Sequence, residues 1–175
     1  MYLPGHLAAG YLAVGAHALA RNHTLDVRRA LWPALLGTVT PDIIDKPLDI
    51  IGIFAYSRAF GHSLIFLVGL WLWWRWLKRR GSSWAMSVGW WLAGIATHLG
   101  VDLLNDMMRG LERRGFFYAG WPYWPVSDYG SHRLLFEIGD HLRIHPTFTS
   151  LEIATMAAAV AVGMAMRVQL KRRVG

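Results

Sequence analysis

The sequence contains no cysteine, which excludes disulfides and thiolate metal sites. It also lacks a glycine-rich phosphate loop, a GxSxG nucleophile motif and an internal repeat. The N-terminus differs from a standard signal peptide, because no positive charge precedes the first apolar run and Arg21 follows it. Because the chain has no thiolate to offer, any metal must be bound by His, Asp or Glu. These ligands suit catalytic zinc, manganese or magnesium better than structural zinc.

Acidic residues are scarce, with 11 Asp and Glu against 18 Lys and Arg, and the formal net charge is +7. A nucleic-acid-binding protein is not expected, because the basic residues form short clusters at the ends of apolar segments and not one stripe. The chain is 54% hydrophobic, with ten Trp and a mean hydropathy of +0.29. These values predict a single membrane domain over residues 1–175, in contact with membrane lipids. The sequence favours no particular oligomeric state.

The apolar segments predict an all-α fold, a polytopic integral membrane helical bundle of about five helices. The predicted helices cover residues 5–20, 30–40, 61–77, 84–104 and 150–166. Residues 41–47 begin and end with proline and are expected to break the second helix, and the short apolar piece 48–56 to be re-entrant or interfacial. Residues 105–147 are predicted to be a long aromatic extracytoplasmic loop that forms an interfacial lid, with a simple aromatic belt as the alternative.

The distribution of basic residues predicts a protein integral to the inner membrane, with the N-terminus outside and the C-terminus in the cytoplasm. The cytoplasmic side then holds 11 of the 18 basic residues and one of the 11 acidic residues. This topology brings six His and Asp side chains from four helices to one level near the outer face. They are His6, Asp42, Asp45, His62, His98 and Asp102. Polar groups in apolar helices are costly and usually functional, so this level is predicted to hold a metal.

Two pairs of residues are spaced so that both members can face one site. His98 and Asp102 are four residues apart, so on a helix they can bind one ion from consecutive turns. The alternative is a hydrogen bond that tightens helix packing. Asp42 and Asp45 are three residues apart, and they are predicted to bridge metals or to act as a general base, with helix capping as the alternative.

Further candidates lie near these pairs. Arg58 lies one turn before His62 and is predicted to steady a phosphate, with a lipid-headgroup contact as the alternative. Asp106 continues the stripe of His98 and Asp102, and we expect it to be a solvated carboxylate at a helix end, with orienting a ligand or binding a second metal as the alternatives. Three histidines in the long loop are weaker ligand candidates: His132, His141 and His145.

Five motifs, in this order, resemble those of the membrane-bound metal-dependent hydrolase family, which is also described as a LexA-binding, inner-membrane-associated hydrolase family. The motifs are His6, LGTVTPDIID at 36–45, RAFGHSL at 58–64, HLGVDLL at 98–104 and WPYWP at 121–125. The resemblance implies that the six His and Asp positions form the metal site. The His-x3-Asp helix is also similar to that of zinc-dependent phospholipase C-like enzymes. Ser57, Ala59 and Gly61 depart from the family pattern His-Arg-Gly-x-Thr-His-Ser, which leaves the metal number open.

We therefore expect a membrane-embedded metal-dependent hydrolase with one or two divalent ions, zinc first and manganese or magnesium next. The expected substrate carries a phosphoester or similar bond in a lipid or amphiphilic molecule. Asp42 and Asp45 are expected to bridge metals or act as base, and Arg58 to hold the phosphate. The expected ligands are His6, His62, His98 and Asp102. The alternative is a non-enzymatic metal-binding membrane protein, either a transporter or a regulatory module linked to LexA.

Overall fold

The computed structural model describes residues 3–21, 27–54, 58–113, 125 and 146–174. Helix α1 is Leu3–Ala20, and a short π-helical segment, Val27–Leu31, leads into α2, Trp32–Ile50. The remaining helices are α3, Leu64–Arg79, α4, Ala85–Arg113, and α5, Pro146–Val174. Within the described ranges no strand occurs. The predicted all-α class and the number of helices are thus confirmed.

Helix α2 continues through Pro41 and Pro47, so the predicted break at residues 41–47 is wrong. Each proline removes one helical hydrogen bond, and neighbouring helices and hydroxyl groups can compensate in a packed bundle. The helix ends at Ile50, and Gly52 follows with a φ of 77°. The described part of segment 48–56 is therefore the end of α2 and a turn.

The later helices begin close to the predicted positions but two are longer. Ser63 caps α3, because its hydroxyl accepts from the backbone N–H of Phe66 at 3.2 Å. Helix α4 continues to Arg113, so the first part of the predicted loop 105–147 is helical. Most of that loop lies outside the described residues. The predicted lid and the three weaker histidine candidates, His132, His141 and His145, therefore stay predictions.

Helices α2 and α4 cross at two glycines. A Cβ atom added at Gly37 would overlap the carbonyl oxygen of Trp91, and one added at Gly94 would overlap that of Ala34. Two backbones can approach this closely only where neither residue has a side chain. Beyond this crossing, Ile95 on α4 packs with apolar side chains of α3.

The interior of the bundle is polar and its surface is apolar. Among the described residues, six of the nine largest fully buried side chains are polar: His6, Thr38, Asp45, His62, Ser63 and His98. Large apolar side chains are exposed along α2, α3 and α5. In the part of the chain that the structure describes, however, no helix combines the length and the apolarity needed to cross a membrane. The five-pass topology and the orientation of the termini stay predictions.

Candidate metal centre

The structure brings together all six of the predicted metal-site side chains. One comes from the start of α1, two from α2, one from the turn before α3 and two from α4: His6, Asp42, Asp45, His62, His98 and Asp102. Five of them are buried, whereas 24% of the Asp42 side chain is exposed. Their roles follow from which atom of each side chain faces the others.

His98 is oriented by the backbone of α2. Its Nδ1 lies 2.6 Å from the carbonyl oxygen of Thr38. Because a carbonyl oxygen can only accept, Nδ1 carries the proton of the neutral ring and donates it. Nε2 therefore presents its lone pair to the centre of the cluster, which is the form of His that binds a metal.

His62 is oriented by Asp45. The Asp45 carboxylate accepts from the ring Nδ1 of His62 at 2.7 Å. It also accepts from three backbone N–H groups of the turn before α3: Ala59 at 2.8 Å, Gly61 at 2.7 Å and His62 at 3.1 Å. An ionised carboxylate only accepts, so Nδ1 of His62 is the donor, and in the neutral ring Nε2 carries the lone pair. A carboxylate behind an imidazole in this way typically supports a metal-binding His.

The two lone pairs face each other. Nε2 of His62 lies 3.2 Å from Nε2 of His98. Asp42 Oδ1 lies 3.6 Å and 3.9 Å from these two nitrogens, and Asp102 Oδ2 lies 3.8 Å and 3.6 Å from them. When both rings are neutral, four acceptor atoms therefore converge around this contact. Buried acceptors in such an arrangement are unfavourable without a donor or a cation.

Asp102 links this group to His6. Its Oδ1 lies 3.3 Å from Nε2 of His6, and the His6 ring stacks on the His98 ring with centroids 4.0 Å apart. Nδ1 of His6 is buried, and among the described residues it has no hydrogen-bond partner. The ligand atoms thus form two groups of three, His6 with His98 and Asp102, and Asp42 with His62 and His98.

Arg58 lies behind Asp102. Its guanidinium is 3.2 Å from Asp102 Oδ2 and 2.7 Å from Asp106 Oδ2. Asp106 is buried, so the prediction of a solvated helix-end carboxylate is wrong. In this position the Arg58 guanidinium offsets the negative charge of Asp102 and fixes its position. The predicted phosphate-binding role of Arg58 stays a prediction.

Asp45 lies behind His62. Its two oxygens accept from four N–H groups, and the side chain is fully buried. Asp45 therefore orients the His62 ring, while its predicted role as a ligand or general base stays a prediction. Asp42 differs, because only its Oδ2 is engaged, by Lys46 at 2.9 Å, while Oδ1 faces the two imidazole nitrogens.

Burial and neighbouring charges set the protonation of the cluster. Burial lowers the pKa of His98 to about 3, against the opposing effect of Asp102, so the ring is neutral at physiological pH. Burial raises the pKa of Asp102, but the charge of Arg58 and the hydrogen bond from His6 lower it well below its usual value. The pKa of Asp42 is likewise lowered, because His98 and Lys46 outweigh its burial. Neutral imidazoles and ionised carboxylates are the forms that bind metals.

Two contributors to the site were not predicted from the sequence. Thr38 acts through its backbone carbonyl, which no side-chain pattern can reveal. Glu152 on α5 accepts from the backbone N–H of Gly5 at 3.2 Å, next to His6, and so fixes the first turn of α1. A lone carboxylate in an otherwise apolar predicted helix is the signal that could have identified Glu152.

Comparison with known proteins gives one finding. No curated protein and no solved structure matches this chain. A family model described as YdjM inner membrane protein matches residues 1–172 of the 175. The match confirms the inner-membrane part of the resemblance drawn from the five motifs, and with it the predicted inner-membrane location. The chain therefore belongs to the YdjM inner membrane protein family.

Proposed function

We propose that this protein is a metal-dependent hydrolase of the inner membrane, with one divalent ion, zinc, bound between His62 and His98. The observation that carries the proposal is the 3.2 Å contact between two imidazole nitrogens, which both present lone pairs when the rings are neutral. Each ring uses its proton on a fixed acceptor, the Thr38 carbonyl or the Asp45 carboxylate. A cation at this contact would satisfy both nitrogens at once.

The spacing of the donor atoms fits zinc. Asp42 Oδ1, His62 Nε2 and His98 Nε2 form a triangle with sides of 3.2, 3.6 and 3.9 Å. Zinc bonds of roughly 2.0–2.1 Å at tetrahedral angles separate neighbouring ligands by about 3.4 Å. The triangle thus has nearly the size of one face of a tetrahedral zinc site. Asp102 Oδ2 adjoins the same two nitrogens and is available as a further ligand.

The geometry supports one ion and not two. The two groups of ligand atoms share His98, which has a single lone pair because its Nδ1 donates to Thr38. If His98 binds an ion together with His62, a second ion among the described residues would be left with His6 and Asp102. Two ligands are fewer than zinc sites in proteins use. We therefore assign the first ion to the group with Asp42 and His62.

The site combines hydrolytic chemistry with apolar surroundings. A divalent ion bound there would supply Lewis acidity to a phosphoester or similar bond. Asp42 is ionised and partly exposed, and its Oδ1 is not engaged by Lys46, so we assign Asp42 as the ligand on the accessible side of the ion. Ile43 and Phe60, next to the site in sequence, are 63% and 37% exposed. Apolar side chains beside the accessible ligand favour a lipid-type substrate, and the inner membrane supplies lipids.

The proposal is tested first by metal content. The protein is purified in detergent without chelators, and bound zinc, manganese and magnesium are measured by inductively coupled plasma mass spectrometry. We expect about one zinc per chain. His62→Gln should lose it, whereas His17→Gln, an exposed histidine on α1, should retain it. A wild-type protein without metal, or equal metal in both variants, would refute the metal site.

The second test is turnover. The zinc-loaded protein is incubated with mixed micelles that contain phosphatidic acid or a phosphatidylcholine, and released phosphate and lipid products are measured. Hydrolysis by the wild type that is lost in the zinc-free variant His62→Gln would support the proposal. Bound zinc without hydrolysis of any phosphoester or carboxylic ester lipid would refute the hydrolase proposal and favour a non-enzymatic metal-binding protein.

A further inference from the structure

The C-terminal end of α3 carries a group of cations outside the metal centre. This α3 basic cluster consists of Arg75, Lys78, Arg79 and Arg80, which are all exposed. From residue 50 to residue 101 the sequence contains no Asp or Glu, so no acidic residue near in sequence offsets the charge. None of the ion pairs found in the described part of the chain involves these four residues. The cluster therefore lacks an anionic partner there.

Three of these cations lie over tryptophan rings one helical turn earlier. Arg75 lies 5.2 Å from the Trp71 ring centroid, Lys78 lies 5.4 Å from that of Trp74, and Arg80 lies 5.0 Å from that of Trp76. Such cation–π contacts hold long side chains in place while part of each cation remains open to an anion. The cluster is therefore partly ordered before any ligand binds.

The surface around the cluster is apolar and aromatic. Helix α3 buries none of its residues, and Trp71, Trp73 and Trp76 are 42–50% exposed. Trp84, just beyond the turn, is 70% exposed. Tryptophan favours the headgroup layer of a bilayer, where its ring contacts acyl chains and its N–H remains near water. Exposed Trp beside a cluster of exposed cations matches a molecule with an anionic head and apolar tails.

We infer that the α3 basic cluster is a binding site for anionic phospholipids, with the phosphate headgroups at Lys78, Arg79 and Arg80 and the acyl chains against the exposed tryptophans. Charge complementarity selects the anionic headgroup, and the aromatic surface selects a lipid over a free phosphate ion. The site is separate from the metal centre, since the 16 residues of α3 extend about 24 Å away from the turn that holds His62.

Lipid binding is measured on the detergent-solubilised full chain by native mass spectrometry, across a concentration series of dioleoylphosphatidylglycerol or dioleoylphosphatidylcholine. We expect the anionic lipid to bind more tightly than the zwitterionic one. The variant K78Q/R79Q/R80Q should bind the anionic lipid about 100-fold more weakly, since each basic residue near a lipid surface contributes roughly fivefold. The matched control R167Q/K171Q/R172Q removes the same number of exposed charges from α5 and should bind as the wild type does.

Two further arms keep the result specific. R79K/R80K keeps the charge and should retain most of the binding, and inorganic phosphate at the lipid concentrations should not compete. Equal binding of the two lipids, equal loss in the α5 control, or displacement by inorganic phosphate would each overturn the assignment. Zinc content should be unchanged in K78Q/R79Q/R80Q, so a failure of this proposal is distinguishable from a failure of the metal site.

Discussion

Asp45→Asn is the substitution that most directly tests how the site is held together. The Asp45 carboxylate accepts four hydrogen bonds, one at Oδ1 from Gly61 and three at Oδ2 from Ala59 and from the backbone and ring of His62. Asparagine keeps one acceptor oxygen and replaces the other with a donor. At least one N–H of the buried turn therefore loses its partner and faces another N–H.

The size of the effect follows from these contacts. A buried donor without a partner costs about 1–3 kcal/mol, and a hydrogen bond to a charged group contributes about 1.5–3 kcal/mol. A loss of about 3 kcal/mol in the free energy of unfolding is therefore expected. For a chain of this length, 1 kcal/mol corresponds to about 2–4 °C, so Tm should fall by about 6–12 °C. Zinc affinity should fall by about 10–100-fold, because His62 loses the group that fixes its tautomer.

Both quantities are measurable on the same preparation. Thermal unfolding in detergent gives the change in Tm, and competition with a fluorescent zinc chelator gives the change in affinity. Asp49→Asn is the matched control, since it makes the same chemical change four residues later on α2 at a partly exposed position. A Tm and a zinc affinity within error of the wild type for Asp45→Asn would refute the positioning role of Asp45.

Three more predictions concern the ion and the helix packing. His6→Ala should keep about one zinc per chain in the elemental analysis, whereas His62→Gln should lose it, because only His62 belongs to the group that we assign to the first ion. At free zinc of 100 times Kd, binding contributes about 2.7 kcal/mol, so removal of the ion with a chelator should lower Tm by roughly 5–10 °C. An unchanged Tm would count against a bound ion. Gly94→Ala should lower the free energy of unfolding by about 1–3 kcal/mol, because the added Cβ meets the backbone of α2. Gly100→Ala on the same helix is the control: its Cβ meets nothing, so thermal unfolding should show it to be neutral or stabilising.

The parts of the site that the sequence predicted depend on local geometry. His98 and Asp102 lie on one helical face because their spacing is one turn, and this holds wherever a helix forms. The order of the apolar segments and the distribution of charge predicted that His6 and His62 would lie close to α4. This prediction used the positions of the helices along the chain and not individual contacts.

The parts that were not predicted depend on backbone atoms and on packing between helices. The partners of Asp45 are mainly N–H groups of the turn before α3, and N–H groups leave no trace in a side-chain pattern. The break expected at Pro41 and Pro47 failed for a related reason. Proline removes a local hydrogen bond, but contacts with the rest of the bundle decide whether a helix continues.

The glycine crossing of α2 and α4 connects the packing of the bundle to the chemistry of the site. Gly37 directly precedes Thr38, and Gly94 lies one turn before His98, so the crossing lies beside the bond from His98 Nδ1 to the Thr38 carbonyl. A wider separation of the helices would lengthen this 2.6 Å contact and release the ring tautomer that directs Nε2 toward His62. Two residues without side chains therefore help to determine which nitrogen of His98 is free to bind a metal.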